Sequence, residues 1–244
     1  MNDETDRYHA LHNYKLFITP EHECSYLDDH LSQTLFVDPE AKLSTEHYTL
    51  FSEIGFRRSG EHVYRPHCPS CSECKAIRIV IKDFTLSRSQ KRCLSTNKDI
   101  KVKWVAPEFK QSHFDLYQRY MQDRHTGSSM ADDDPERYLR MMQANWCDTR
   151  LAEFYLDNKL IAVAITDWLD SALSAVYTYF EPEMTKRSLG TYAILKQIET
   201  ATATNRDYVY LGYWIRDCQK MSYKTRFSAI EIYHEHSWWP FIHD

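Results

Sequence analysis

The 244-residue chain is 43% hydrophobic and 27% charged, an ordinary globular composition, and its 5 glycines argue against a loop-dominated disulfide scaffold. No run approaches the roughly 18 apolar residues of a membrane span, and the polar opening MNDETDRYHALHNYKLF has no signal-peptide core. A cytoplasmic chain without membrane contact is expected. Its net charge of −5 hides a block, residues 57–103, with 12 Lys+Arg against 4 Asp+Glu, flanked by acidic stretches, so an anionic partner such as RNA is a candidate.

In chain order, YKLFI (14–18) alternates and predicts a strand, and TEHYTLFSEIG (45–55) a helix stopped by Gly55. Arg57, Arg58 and Arg65 fall in an expected hairpin. HCPSCSEC (67–74) sets Cys68, Cys71 and Cys74 at C-x2-C-x2-C spacing. An iron–sulfur run would continue with a cysteine at 78, where Arg78 stands, so the fourth ligand must be distant and Cys24 is the candidate. With 7 cysteines and no leader, reduced thiols are expected: they hold Zn or an Fe–S cluster, or they are small buried thiols beneath the strand AIRIVI (76–81). Ser87 caps a basic helix (87–99) that carries Arg88, Lys91 and Arg92 within one turn beside Gln90. Such a mixture suits phosphate contacts, and equally a solvated basic face.

A boundary is expected near 104, dividing a Cys-containing, partly basic N-terminal domain (1–104) from a second domain (105–244). After the strand KVKWV (101–105) the spacing predicts helices over 108–125 and 134–145, with Asp134 as N-cap and Pro135 in the first turn. A hairpin turning at Asp157-Asn158 follows, then a strand (172–180), a helix (188–204), a strand (207–215), a helix (218–227) and a last strand (229–234). This order resembles the acyl-CoA N-acyltransferase fold: α+β, a mixed sheet flanked by helices, here with a smaller N-terminal α+β domain. In that fold the central helix opens on a (Q/R)-x-x-G-x-(G/A) loop that binds the coenzyme pyrophosphate at a helix N-terminus. The matching residues are Arg187, Ser188, Leu189, Gly190 and Thr191, but Tyr192 replaces the last small residue. A bulky ring there argues for a different phosphate-bearing donor, such as the 3′ end of an aminoacyl-tRNA.

The stretches GFRRSGEHVYRPHCPSCSECKAIRI (55–79), FTLSRSQKR (84–92), LYQRYMQDRHTGSSM (116–130), TDWLDSALSAVYTYFEPE (166–183), RSLGTYAILKQIE (187–199) and YLGYWIRDCQKMSYK (210–224) together resemble one family. It is the aminoacyl-tRNA–protein transferases (arginyl-tRNA–protein transferase-like), in their bacterial branch, the aspartate/glutamate leucyltransferases. The resemblance implies transfer of leucine from leucyl-tRNA to the N-terminal Asp or Glu of a protein, which marks it for degradation by the N-degron pathway. It also supports Cys24 as the partner of the later cysteines.

Aminolysis of an already activated ester asks mainly for positioning, an oxyanion donor and an outlet for a proton. Strand 172–180 is expected to supply a backbone N–H for the oxyanion, Asp167 to orient or deprotonate the incoming ammonium, and Tyr177 and Tyr192 to donate to the leaving ribose oxygen. No cofactor is needed for that chemistry. An acceptor carboxylate calls for Arg, with Arg57, Arg58, Arg78 and Arg187 as candidates, and His125 in the Gly-turn loop RHTGSSM joins the acceptor set. Met130, Trp168 and Trp214 are candidates for an apolar leucine pocket. A CoA-dependent N-acetyltransferase and a non-catalytic metal-knuckle RNA-binding module are the alternatives.

Overall fold

The computed structural model describes residues 8–124 and 134–242. Four short strands, β1 (Leu16–Ile18), β2 (His22–Glu23), β3 (Leu31–Ser32) and β4 (Thr34–Val37), precede helix α1 (Thr45–Glu53). The hairpin β5 (Arg57–Ser59) and β6 (His62–Pro66), then β7 (Lys75–Val80), helix α2 (Arg88–Thr96) and β8 (Lys101–Val105) complete the first half. Helices α3 (Gln111–Arg124) and α4 (Pro135–Met142) lead into β9 (Thr149–Leu156), β10 (Lys159–Trp168) and β11 (Ala172–Phe180). Helix α5 (Leu189–Ala203) crosses to β12 (Tyr208–Trp214), and β13 (Ile230–His234) and β14 (Ser237–Pro240) close the chain.

The main body is an eight-stranded sheet in the order β14-β13-β7-β12-β11-β10-β9-β8. Its neighbours run antiparallel except for β11 and β12, which are parallel and joined by α5. Parallel neighbours need such a crossover, whereas β9 and β10 turn directly on Asp157 and Asn158, both at positive φ as a tight two-residue hairpin requires. One face carries α2 and α5 over a core that includes Ile77, Ile79, Phe154, Ile194 and Leu211. The other face is covered in two parts: by α3 and α4 over Phe114, Leu116, Met142 and Val163, and by α1 with the four-stranded sheet β1-β4-β6-β5, whose Tyr48, Phe51, Phe56 and Val63 pack with Ala172 and Tyr210. This is the expected α+β architecture of a mixed sheet flanked by helices.

The boundary expected at 104 does not separate the sheets. β7 lies between β13 and β12, and β8 forms the far edge, so residues 75–105 share one sheet with the second half. The alternation of AIRIVI announced a strand, but nothing in a local pattern announces which strand it pairs with. Local signals fared better. Ser87 and Gln90 form a reciprocal capping box at α2, and Asp134 caps α4 with Pro135 in its first turn. Helix α2 ends at Thr96, because Asn97 turns its amide back onto the Cys93 carbonyl. The segment 219–226 is a 3-10 helix, and β14 extends the sheet beyond the last strand expected.

Candidate active site

The parallel pair at the centre of the sheet is paired at three positions only, Ala172–Ser174 against Tyr208–Tyr210. Past these the strands part. In β11, Val176 is an extra residue opposite β10, whose Ile165 and Thr166 pair with Tyr177 and Ala175. In β12, register with β7 shifts between Tyr210 and Tyr213, around Gly212 at φ +80°. Bulges bend a strand and re-aim its groups. The result is a wedge between the C-terminal halves of β11 and β12, whose facing backbone edges have no partner strand. Helix α5 starts at the same end, the place where open α/β sheets take ligands.

The loop before α5 is fixed from α2. Arg187 makes two 2.9 Å bonds to Asp99 and one of 3.1 Å to the Thr96 carbonyl, and Asn97 donates to the Arg187 carbonyl. Arg187 is thus an anchor of the loop rather than a free reader of a carboxylate. Ser188 stands at φ +50° with no side-chain cap, and leads through Leu189 into Gly190 and Thr191 in the first turn of α5, whose amides are the orphans of any helix start. A Cβ on Gly190 would meet the Phe180 ring at 3.4 Å, so the glycine is explained by close packing on β11. Tyr192 turns into the core against Phe154, with its ring 4% exposed. It neither obstructs the loop nor reaches a leaving oxygen, which corrects both expectations for it. Arg88, Lys91 and Arg92 are exposed on α2 beside this loop. Gln90 is buried, spent on the capping box and the Arg226 carbonyl, and so leaves the donor-binding set.

Asp167 and Arg58 were placed in separate roles and the structure joins them. Arg58 Nε and Nη2 each lie 2.6 Å from an Asp167 oxygen, with both side chains fully buried. Thr149 donates to Asp167 at 2.7 Å, and the remaining guanidinium hydrogens go to the carbonyls of Gly60, Met141 and Met142. The Asp167 carboxylate holds the Arg58 guanidinium firmly charged against the opposing effect of burial. Every strong donor and acceptor is used, so the pair ties β5 to β10 and α4 and is withdrawn from catalysis and from acceptor binding. Arg78 is likewise committed, to Glu231 at 2.7 Å and to the Tyr208 and Trp238 rings. Trp168 lies at the opposite end of the strands from the wedge, between Arg150 and Arg206, where it cannot line a leucine pocket there. A cavity of about 390 Å³ lined by Trp104, Pro107 and Arg150 lies at that same far end. Tyr177 is half-buried, one residue past the bulge, with its hydroxyl 3.5 Å from Met121 Sδ. Trp214 ends β12 beside Phe241. His125 and Met130 lie outside the described residues.

Arg57 differs from its neighbour. It is 4% exposed, stacks at 4.4 Å over Tyr210, and among the described residues donates only to the carbonyls of Phe56 and Ile77, while its Nε has no partner there. Close by is a residue the sequence reading passed over. Lys224 is 8% exposed and donates to the Tyr213 carbonyl, and a Cβ on Gly212 would stand 3.8 Å from its Nζ. Burial, with the Arg57 charge, pushes its ammonium down to about 8. Its only sequence signal was a place at the end of YLGYWIRDCQKMSYK, and burial of a lysine does not show in a sequence.

Cys24, Cys68, Cys71 and Cys74 are half-buried free thiols. Burial pushes Cys74 up to about 12, and the other three add to the rise, so the four are neighbours. Cys68 is engaged with Gln33 and Ser32. Thiols are the right donors for Zn or an Fe–S cluster, but among the described residues no three His, Cys, Asp or Glu side chains are placed to hold a metal ion. Among the described residues no helix is long and apolar enough to cross a membrane.

Residues 22–92 match the family described as arginine-tRNA-protein transferase, N terminus, and residues 112–234 match its C terminus. The aspartate/glutamate leucyltransferase of Saccharophagus degradans is 45% identical over 233 residues, covering 95% of this chain and 99% of that one. That of Hahella chejuensis is 46% identical over 222 residues, covering 91% and 95%. In fold, the chain is similar to the crystal structure of FemX, with a TM-score of 0.54 at 8% identity over 97% of this chain and 90% of that one.

Proposed function

Because the chain belongs to the arginine-tRNA-protein transferase family and is a transferase, we propose that it moves leucine from leucyl-tRNA to the N-terminal Asp or Glu of acceptor proteins. The products would be marked for the N-degron pathway, in the cytoplasm. The observation that carries this reading is the wedge between β11 and β12, with the basic helix α2 docked on the loop that opens α5 beside it.

In this reading the acceptor stem of leucyl-tRNA follows Arg88, Lys91 and Arg92 toward the α5 N-terminus, and the leucyl ester enters the wedge. The acceptor's α-amine attacks the ester carbonyl, the C–N bond forms, and the C–O bond to the ribose breaks. An α-ammonium of ordinary pKa about 7.7–8.0 releases a useful fraction of free amine at neutral pH. Unpaired β11 amides beyond Ser174 would hold the developing oxyanion, and the Tyr177 hydroxyl, on leaving Met121, would serve the leaving oxygen. Trp214, at the end of β12, would line the leucine pocket.

The test offers the purified protein leucyl-tRNA or arginyl-tRNA with peptides beginning Asp, Glu, Lys or Arg. Labelled leucine on the Asp and Glu peptides alone is the expected result. Arginine transfer, or tight acetyl-CoA binding in its place, would overturn the reading.

A further inference from the structure

Resting on that reading, we infer that Arg57 and Lys224 form the subsite that receives the side-chain carboxylate of the acceptor's N-terminal residue. Of the four arginines that the sequence offered for this task, three are spent: Arg58 on Asp167, Arg78 on Glu231 and Arg187 on Asp99. Among the described residues Arg57 is the one left without a carboxylate, and it is buried with its Nε unbonded. A second cation, Lys224, is buried close enough to feel its charge and also has no carboxylate partner among the described residues.

Two like charges in a low-dielectric interior are costly, and proteins keep them where an anion arrives to complete the set. The donors are suited to a carboxylate. Arg57 Nε is free, and an ammonium has three hydrogens, of which the Tyr213 carbonyl takes one from Lys224. The flexible lysine stem would tolerate the one-methylene difference between Asp and Glu. The location is right as well. Lys224 lies over Gly212, where β12 leaves its register and has already parted from β11. A carboxylate held there would put the attached α-amine into the wedge where the ester is expected. A Cβ at 212 would only touch the ammonium in ordinary contact, and it is the φ of +80° that favours glycine there.

The experiment compares kcat/KM for peptides that begin with Asp and with Asn, which differ only in the charge read by the subsite, at fixed leucyl-tRNA. The wild-type ratio is expected to be about ten- to a hundredfold in favour of Asp, the size of a charge-assisted hydrogen-bond set. Lys224→Met and Arg57→Gln should each cut that ratio at least tenfold, while leucyl-tRNA affinity stays within about twofold, and Lys224→Arg should restore most of it. A purely structural role would lower Asp and Asn transfer together and keep the ratio, and that result overturns the subsite while leaving the proposed function intact. A wild-type protein that transfers leucine to no peptide overturns both. If Arg57→Gln does not fold, the Lys224 pair of variants decides alone.

Discussion

Arg57 and Arg58 are consecutive residues of one strand, both buried, and their surroundings are opposite. Arg58 is surrounded by a complete set of acceptors, the Asp167 carboxylate and the carbonyls of Gly60, Met141 and Met142. Arg57 has two carbonyls, an aromatic face, an unbonded Nε and a second cation nearby. The first arrangement is closed and holds β5 against β10. The second is open and waits for a negative charge. In a core, therefore, the completeness of a charge's partner set separates a structural ion from a binding one, and residue type alone does not.

The largest effect should come from breaking the closed set. Asp167→Asn leaves Arg58 charged and buried beside a neutral amide, a defect of roughly 3–5 kcal/mol. Urea unfolding should show that loss, while the transfer rate per folded molecule in a single turnover changes little. Loss of turnover by a hundredfold with unchanged stability would return Asp167 to the chemistry.

Next in size, and opposite in sign, is Lys224→Met. The gap between the ordinary lysine value of 10.5 and about 8 corresponds to about 3 kcal/mol of cost carried by the fold. The variant should unfold at a temperature equal to or above that of the wild type, although it loses acceptor discrimination. The pH dependence follows the same sign. The folded value is the lower one, so between about pH 8 and 10.5 the unfolded chain holds the proton that the folded chain has released. Wild-type stability therefore gains with rising pH across that window, and the Lys224→Met protein should lack the gain. A wild type that shows no such rise would mean that the ammonium is not buried as the structure places it.

The two regions were unequally legible in the sequence. The alternation of AIRIVI, the Ser87 cap, the Asp134-Pro135 start and the Asp157-Asn158 turn are local signals, and each element appears where its signal stood. The insertion of β7 between β12 and β13 is non-local, and no period in a strand encodes its neighbour. The site divides in the same way. Arg57 and Arg58 could be proposed as carboxylate readers from chemistry, but only three dimensions show that Asp167 had already claimed one of them. Tyr192 looked like an obstruction in a loop motif because the motif does not say that position points into the core. Lys224 was invisible because a lysine in a polar run normally lies in water.

A third class of cation, exposed on α2, gives a smaller and salt-sensitive effect. Replacing Arg88, Lys91 and Arg92 by Ala should weaken leucyl-tRNA binding about tenfold near physiological salt and flatten the dependence of log affinity on log salt by about 2, since each phosphate contact contributes roughly 0.7–0.9. Melting temperature should not move, because exposed charges contribute little to stability. A triple variant with an unchanged salt slope would place the RNA surface elsewhere.

The smallest effect tests a partner set that is nearly complete. Glu153 is buried on β9 and accepts from His113 Nε2 at 2.8 Å, from Lys110, and from the Tyr155 hydroxyl at 3.0 Å. Burial pushes the Glu153 carboxyl up, but these donors outweigh it and hold it below 4.5. Burial pushes His113 below 6.5 despite Glu153, and its Nδ1 has no partner. Both folded values are thus depressed, so the unfolded chain takes up protons first as the pH falls. The His113 contribution is lost as the solution is acidified below about 6.5, and that of Glu153 only below about 4.5. A thermal-unfolding series from pH 7.5 to 5 should therefore show a gradual fall for the wild type and a shallower one for His113→Gln, whose amide still donates to Glu153 but takes up no proton. Identical slopes in the two proteins would mean that His113 binds its proton equally well folded and unfolded, and a steeper fall for His113→Gln than for the wild type would mean that His113 is held protonated in the fold, paired with Glu153 as Arg58 is with Asp167.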